Sequence, residues 1–320
     1  MVTLVDRIVA AAKRIQPHTR ETRLERSDVL APSVASDVCL KCENLQHTGS
    51  FKLRGALNKT LLLSPETLAR GVVAASTGNH GRGVAHALAA VGGRGTIYLP
   101  TTAPGSKVEA LRQYASINLE FHGTDSSVTE AHAREVAERS GRVYISPYND
   151  LDVIAGQGTV GVEIWRQCSM VEALFVAVGG GGLVTGVASY LKAQDPSVRI
   201  IGCWPEHAPA LHAALTLGRI VEIPERPTLS DATAGGLEPG AVTFDLAREL
   251  IDDHVLVSED EIAAAIRLVH AEHDMVIEGA AGVAVAGYRK AAARYSGQRS
   301  AIILCGGNIA RSTLTSLLSA

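Results

Sequence analysis

The chain has 320 residues, enough for one large α/β domain or two medium ones sharing a core. Hydrophobic residues make up 46%, yet no apolar run approaches the roughly 18 residues that a membrane span requires. The net charge of −3 has no long block of one sign, so neither a membrane nor a nucleic-acid partner is expected. The opening residues, Met1 to Asp6, lack the basic-then-apolar layout of a secretory signal, and the protein is expected in the cytoplasm.

In chain order, the first feature is Val38-Cys39-Leu40-Lys41-Cys42, a strand-like stretch containing a C-x-x-C. Positions three apart on a strand face opposite sides, and no second Cys or His pair with zinc spacing accompanies them. With five scattered cysteines and no disulfide framework, Cys39 and Cys42 read as structural. Next comes Glu43 to Ala56, where a turn at Thr48-Gly49-Ser50 leads into a helical start with Lys52 in its first turn. A helix N-terminus is electropositive and disfavours the charged ammonium, which favours a nucleophilic amine of the kind Schiff-base chemistry needs. A surface lysine beside Arg54 is the other reading of that segment.

Beyond it, short apolar runs alternate with alanine-rich helical stretches, the pattern of a parallel α/β sheet with right-handed crossovers. Strands are predicted at Val72–Ala75, Thr96–Leu99, Ile117–Phe121 and Val143–Ile145, with helices at about His80–Val91, Ser106–Ala115 and Ser127–Ser140. The second half offers Ala173–Val178, Val198–Gly202 and Ala301–Leu304 as buried strands, with no linker between the halves.

Two strand-to-helix loops carry anion-binding chemistry. Gly179-Gly180-Gly181-Gly182 lets backbone N–H groups converge ahead of a helix running to about Lys192, and lacks the spacing of a dinucleotide site. Ser76-Thr77-Gly78-Asn79-His80 offers hydroxyls, an amide and N–H donors suited to a carboxylate, although an ordinary N-cap would look the same. A third glycine loop, Cys305-Gly306-Gly307-Asn308, ends a buried strand.

Gly49-Ser50-Phe51-Lys52-Leu53-Arg54-Gly55-Ala56, Ala103 to Ala110 and Val153 to Thr159 resemble, in order, the motifs of the fold-type II pyridoxal-phosphate enzymes. Within them the chain is most similar to the threonine dehydratase and serine racemase branch. The resemblance implies a tryptophan synthase β-like α/β fold of two domains, each with a mainly parallel twisted sheet flanked by helices. Residues 1–68 and 150–320 would form a large cofactor-binding domain, and 69–149 a small substrate-loop domain. It further implies pyridoxal 5'-phosphate held by Phe51, Lys52, Asn79, Gly179, Gly180, Gly181, Gly182, Leu183, Glu278, Cys305 and Gly306. Ser76, Thr77, Asn79 and His80 would hold the substrate carboxylate, with Asp231, Gly235 and Gly236 a looser match to a cofactor-contacting loop. Where relatives place serine or threonine on the pyridine nitrogen, this chain has Cys305, a weak donor that would leave that nitrogen neutral.

Many relatives bind a divalent cation after the strand ending near Gly202, but Trp204 and Ala210 stand where the two carboxylates would be. No metal is expected there. The run Gly202-Cys203-Trp204-Pro205-Glu206 looks more like a dehydratase subgroup associated with hydroxyectoine breakdown. The chain ends soon after Cys305, so no regulatory domain is expected, whereas a homodimer is the family norm.

The implied activity is loss of water and ammonia from a small β-hydroxy amino acid, with Lys52 as cofactor-bearing residue and α-proton base. Threonine, serine, 3-hydroxyaspartate and a hydroxyectoine-derived amino acid all suit it. The rivals are a β-replacement transferase of the cysteine synthase type and a catalytically idle cofactor-binding protein. Racemisation is disfavoured, because Thr77 stands where racemases carry serine.

Overall fold

The computed structural model describes all residues except Met1, Pro32, Val34, Ala35, Ser169 and Ala320. The strands are β1 Leu24–Arg26, β2 Asp37–Lys41, β3 Val72–Ala75, β4 Gly95–Leu99, β5 Ile117–Phe121, β6 Val143–Tyr144, β7 Ala173–Ala177, β8 Arg199–Pro205, β9 Asp253–Val257 and β10 Arg299–Ile303. Six of them form a sheet in the order β1-β2-β10-β7-β8-β9, and four form a second sheet in the order β5-β4-β3-β6. Among the described strands, only the β1–β2 pair is antiparallel. β3 and β7 are buried along their whole length, as parallel strands covered on both faces must be.

Local chemistry explains most of the boundaries. The expected helix near Ser127 starts at Ser126, because the Asp125 carboxylate accepts from Ser127 N and Val128 N. The helix expected to reach Ala115 ends at Arg112 instead, since Tyr114 turns into the apolar cluster under β4 before the chain enters β5. β9 was not foreseen from the sequence; its alternation, with Val255 and Val257 inward, is interrupted by Asp253 and His254. Cys39 is half-buried and Cys42 fully buried.

The helix Lys52–Leu61 occupies the seam between the sheets. It belongs by sequence to residues 1–68, yet Leu53, Ala56 and Leu57 share an apolar cluster with Val72, Leu88 and Ile97 around β3 and β4. On its other side it touches the helix Leu151–Gln167 almost backbone to backbone. A Cβ on Gly156 would sit 2.5 Å from the Arg54 carbonyl oxygen. Gly55 N donates to Gln157 Oε1 at 3.1 Å.

Beneath this seam lies a buried, charge-balanced network. Arg54 donates to Glu43 (2.8 Å) and Glu163 (2.7 Å), and Lys41 reaches Glu163 at 2.6 Å. Two cations and two carboxylates thereby cancel, and the network ties β2 to both seam helices. Among the described residues, no helix is long and apolar enough to cross a membrane.

Candidate active site

A cavity of about 260 Å³ opens at the C-terminal ends of β3, β4, β7 and β10, so both sheets contribute to its walls. Ligands of open parallel sheets bind at such strand ends. Phe51, Lys52, Ser76, Thr77, Asn79, His80, the Gly179–Gly182 loop, Leu183, Glu278 and Cys305 all line it. The tertiary structure thus brings together nearly every residue singled out from the sequence.

Lys52 is the first residue of its helix and points into the cavity. Its Nζ donates to the Pro147 carbonyl at 2.8 Å and lies 5.3 Å from the centre of the Phe51 ring. Among the described residues its Nζ has no carboxylate partner within salt-bridge distance. Burial lowers its pKa to about 8, partly opposed by the carboxylates of Glu130 and Glu278. A neutral amine is therefore readily available near physiological pH, which is the requirement for attack on an aldehyde.

Of the helices that begin at the cavity, those at Lys52, Asn79, Gly182 and Gly279 have no side-chain cap, whereas the one at Ser126 is capped by Asp125. Uncapped first turns leave N–H donors and positive field directed at whatever fills the cavity. The glycine loop adds to this. Gly181 sits at φ +88°, a conformation L side chains rarely adopt, and turns the chain into the helix Gly182–Gln194. Tyr148 packs so closely on the loop that a Cβ on Gly180 would fall 2.5 Å from its ring.

An amine on one side and a side-chain-free anion cradle on the other fit a phosphorylated aldehyde such as pyridoxal phosphate.

Between them runs an amide and carboxylate relay. Asn79 Nδ2 donates to Glu278 Oε1 (2.7 Å), Asn308 Nδ2 donates to Asn79 Oδ1 (2.7 Å), and Asn308 N donates to Glu278 Oε2 (3.1 Å). Arg82 closes the chain by donating to Asn308 Oδ1 at 2.6 Å. Burial, and then the charge of Asp231, push the Glu278 carboxyl up to about 7. Gly306 stands behind this carboxylate, where a Cβ would lie 2.6 Å from Oε1. It therefore shapes the site through Glu278. Burial also holds the Cys305 thiol well above its usual pKa, so it remains S–H.

His80 lines the cavity with its ring turned to the Ile145 carbonyl. A carbonyl only accepts, so the 2.8 Å bond to the Ile145 oxygen requires the proton on Nε2. Nδ1 is buried without a partner, and burial lowers the ring's pKa to about 3. The neutral ring therefore presents a lone pair, and His80 can meet a carboxylate only through its main-chain N–H. Ser76 Oγ accepts from Gly78 N at 3.1 Å and keeps its own proton for a ligand.

Of the looser loop match, Asp231 lines the cavity and pairs with Lys107 at 2.7 Å. Gly235 and Gly236 do not line it. In the segment where relatives hold a cation, Trp204 is buried against His212 and His254, Glu206 lies 3.7 Å from Lys290, and His207 bonds the Pro227 carbonyl. Sequence reasoning assigned no role to Asn308, Arg82, Pro147 or Glu130. Asn308 alone carried a signal, as the polar residue ending a glycine loop.

The profile of the pyridoxal-phosphate dependent enzyme family matches residues 15–306. An L-threonine ammonia-lyase of Thermotoga maritima is 42% identical over 310 residues, covering 97% of this chain and 76% of that protein. A catabolic L-threonine dehydratase of Escherichia coli is 38% identical over 307 residues, covering 95% and 93%. Among solved structures, processed threonine deaminase isoform 2 from Solanum lycopersicum superposes with a TM-score of 0.92 at 35% identity, covering 98% and 92%. Maize serine racemase gives 0.91 at 30%, covering 100% and 98%. The chain belongs to the pyridoxal-phosphate dependent enzymes, in the fold-type II branch of threonine dehydratases and serine racemases, and is a lyase of the dehydratase type.

Proposed function

We propose that the protein converts a threonine- or serine-like β-hydroxy amino acid into a keto acid and ammonia, with Lys52 as the catalytic residue. The observation that carries this reading is a buried, low-pKa amine facing a cavity of uncapped helix starts. When bound, pyridoxal phosphate supplies the electron sink that makes an α-proton acidic. Lys52 would carry the cofactor, and its Nζ would accept the α-proton of the bound substrate. The Pro147 carbonyl keeps Nζ aimed into the cavity. The N–H groups of Gly179–Gly182 and Leu183 would hold the phosphate, and Asn79, buttressed by Glu278 and Asn308, would bind the cofactor ring. Cys305 would serve the cofactor ring as a weak thiol donor, which would favour prompt elimination. Ser76, Thr77 and the main-chain N–H groups at Asn79 and His80 bind the substrate carboxylate.

In this reading residues 69–149 form a small substrate-loop domain beside a large cofactor-binding domain of 1–68 and 150–320, and the enzyme works as a cytoplasmic homodimer. Light scattering at twice the chain mass would support the dimer. The activity is tested by assaying keto acid release from threonine, serine and 3-hydroxyaspartate without added thiol. Release supports the lyase. A product formed only with a thiol acceptor would mean a transferase, and cofactor binding without any turnover would mean an idle binding protein.

A further inference from the structure

Asn308 and Asn79 stand in series at the cavity, and their partners permit only one orientation of each amide. Asn308 is held at its outer end by groups that can act in a single way. Arg82 only donates, and its Nη1 reaches Asn308 Oδ1 at 2.6 Å. The Thr48 carbonyl only accepts, and takes a proton of Asn308 Nδ2 at 2.9 Å. The second Nδ2 proton goes to Asn79 Oδ1 at 2.7 Å, which obliges Asn79 to turn its own Nδ2 the other way. One proton of that nitrogen goes to Glu278 Oε1 at 2.7 Å, and one is left for the cavity that Asn79 lines.

The place of the Asn308 amide is built into the fold. A Cβ on Gly49 would lie 2.8 Å from Asn308 Oδ1 and 3.1 Å from Nδ2, so any side chain there would displace the amide. Gly307 N donates to the Gly49 carbonyl at 2.9 Å and Asn308 N to Glu278 Oε2 at 3.1 Å, which fixes the main chain beside it. Reversing Asn308 would set its oxygen against the Thr48 and Asn79 oxygens and its nitrogen against Arg82. Reversing Asn79 would set its oxygen against Glu278. Each reversal leaves polar groups unpaired in a largely buried place, which is unfavourable.

We infer that Asn308, anchored by Arg82, is a positioning residue for the cofactor: it fixes the sense of the Asn79 amide, so that an N–H and not the carbonyl oxygen is turned to the cofactor ring. This rests on the reading that places Asn79 beside that ring. Asn308→Asp is the direct probe, because it keeps the size of the side chain and the bond from Arg82 but puts an oxygen where Nδ2 stood. Asn79 would then have to turn over. A phenolic oxygen that loses an N–H donor keeps its proton more firmly, since the hydrogen bond to its charged form is gone. The visible absorption of lysine-bound cofactor should therefore give way to near-ultraviolet absorption. Pyridoxal phosphate titrated into the apoprotein should bind about tenfold more weakly. Asn79→Ala should weaken it by a similar factor, and the double variant should lose no more than either single one, because Asn308 acts through Asn79.

An unchanged spectrum and affinity in Asn308→Asp overturn the inference. Losses that multiply in the double variant overturn it too, since Asn308 would then act independently of Asn79. Both of these outcomes leave the placement of Asn79 standing. If Asn79→Ala itself leaves the affinity and the spectrum intact, that placement fails and the inference falls with it. Should Asn308→Asp not fold, Asn308→Ala decides: it frees Asn79 to turn, and the absorption is expected to move in the same direction by a smaller amount. No movement in that variant overturns the inference.

Discussion

Lys52 and Arg54 stand two residues apart in the first turn of one helix, and they have opposite fates. Arg54 points down into the seam, where burial disfavours its charge but Glu43 and Glu163 overcome that cost and hold its pKa above the usual value. Lys52 points up into the cavity, where its Nζ donates to a carbonyl oxygen, and burial lowers its pKa to about 8. Depth of burial is therefore not what makes a basic side chain reactive. The difference lies in compensation: a paired cation is a structural tie, and a cation with no carboxylate at hydrogen-bond distance becomes a nucleophile.

Replacing each residue should break this contrast in its own way. Lys52→Ala is expected to abolish the visible absorption of lysine-bound cofactor and to reduce keto acid release by at least about a thousandfold, within the range set by loss of a catalytic base. Its thermal unfolding should change little. Persistence of either the absorption or the turnover would mean that another residue carries the cofactor. Arg54→Ala should do the opposite in kind, because it leaves Glu43 and Glu163 buried without their main partner. A loss of about 3–5 kcal/mol in denaturant unfolding is expected. A neutral result would show that water relieves the network.

The anion cradle offers a smaller effect. Gly181→Ala must hold an L residue at φ +88°, which costs about 1–2 kcal/mol. The loss should appear mainly as weaker cofactor binding, measured by titrating pyridoxal phosphate into the apoprotein, with Lys52 still reactive toward free aldehyde.

The subtlest test concerns Glu278, a carboxylate raised where Lys52 is lowered. Its folded pKa of about 7 lies above the ordinary 4.5, so the folded apoprotein binds the proton more tightly than the unfolded chain. Its contribution is fully favourable below pH 4.5 and is lost as pH rises to 7. Glu278→Gln should remove that slope, and the difference between the two stability profiles isolates it from other titrations. Parallel profiles would show that Asn79 and Asn308 keep Glu278 ionised throughout.

Much of this was legible in advance because it depends on local chemistry. The strand-to-helix loops at Ser76, Gly179 and Cys305 announce themselves through glycine and hydroxyl residues after apolar runs, and all three line one cavity. The position of Lys52 at a helix start followed from the turn before it. The orientation of the His80 ring was not legible, because its partner is a main-chain carbonyl 65 residues away, beyond any local pattern. The Gly202–Glu206 run, which suggested a subgroup, lies mostly in the buried interior of β8. There Trp204 packs on histidines away from the cavity, so its bearing on substrate choice is indirect.

The sequence by itself determined the alternating α/β architecture, the glycine cradle, the amine that faces it and the family, since each rests on residue types a few positions apart. Only the tertiary structure decided which charges are compensated. Lys52 and Arg54 are neighbours in sequence, and the carboxylates that distinguish them come from Glu43 and Glu163, the second of them 109 residues from Arg54. The relay from Arg82 through Asn308 and Asn79 to Glu278 spans 229 residues between Asn79 and Asn308. Electrostatic compensation acts through space over a few ångströms, and chain order carries no record of it.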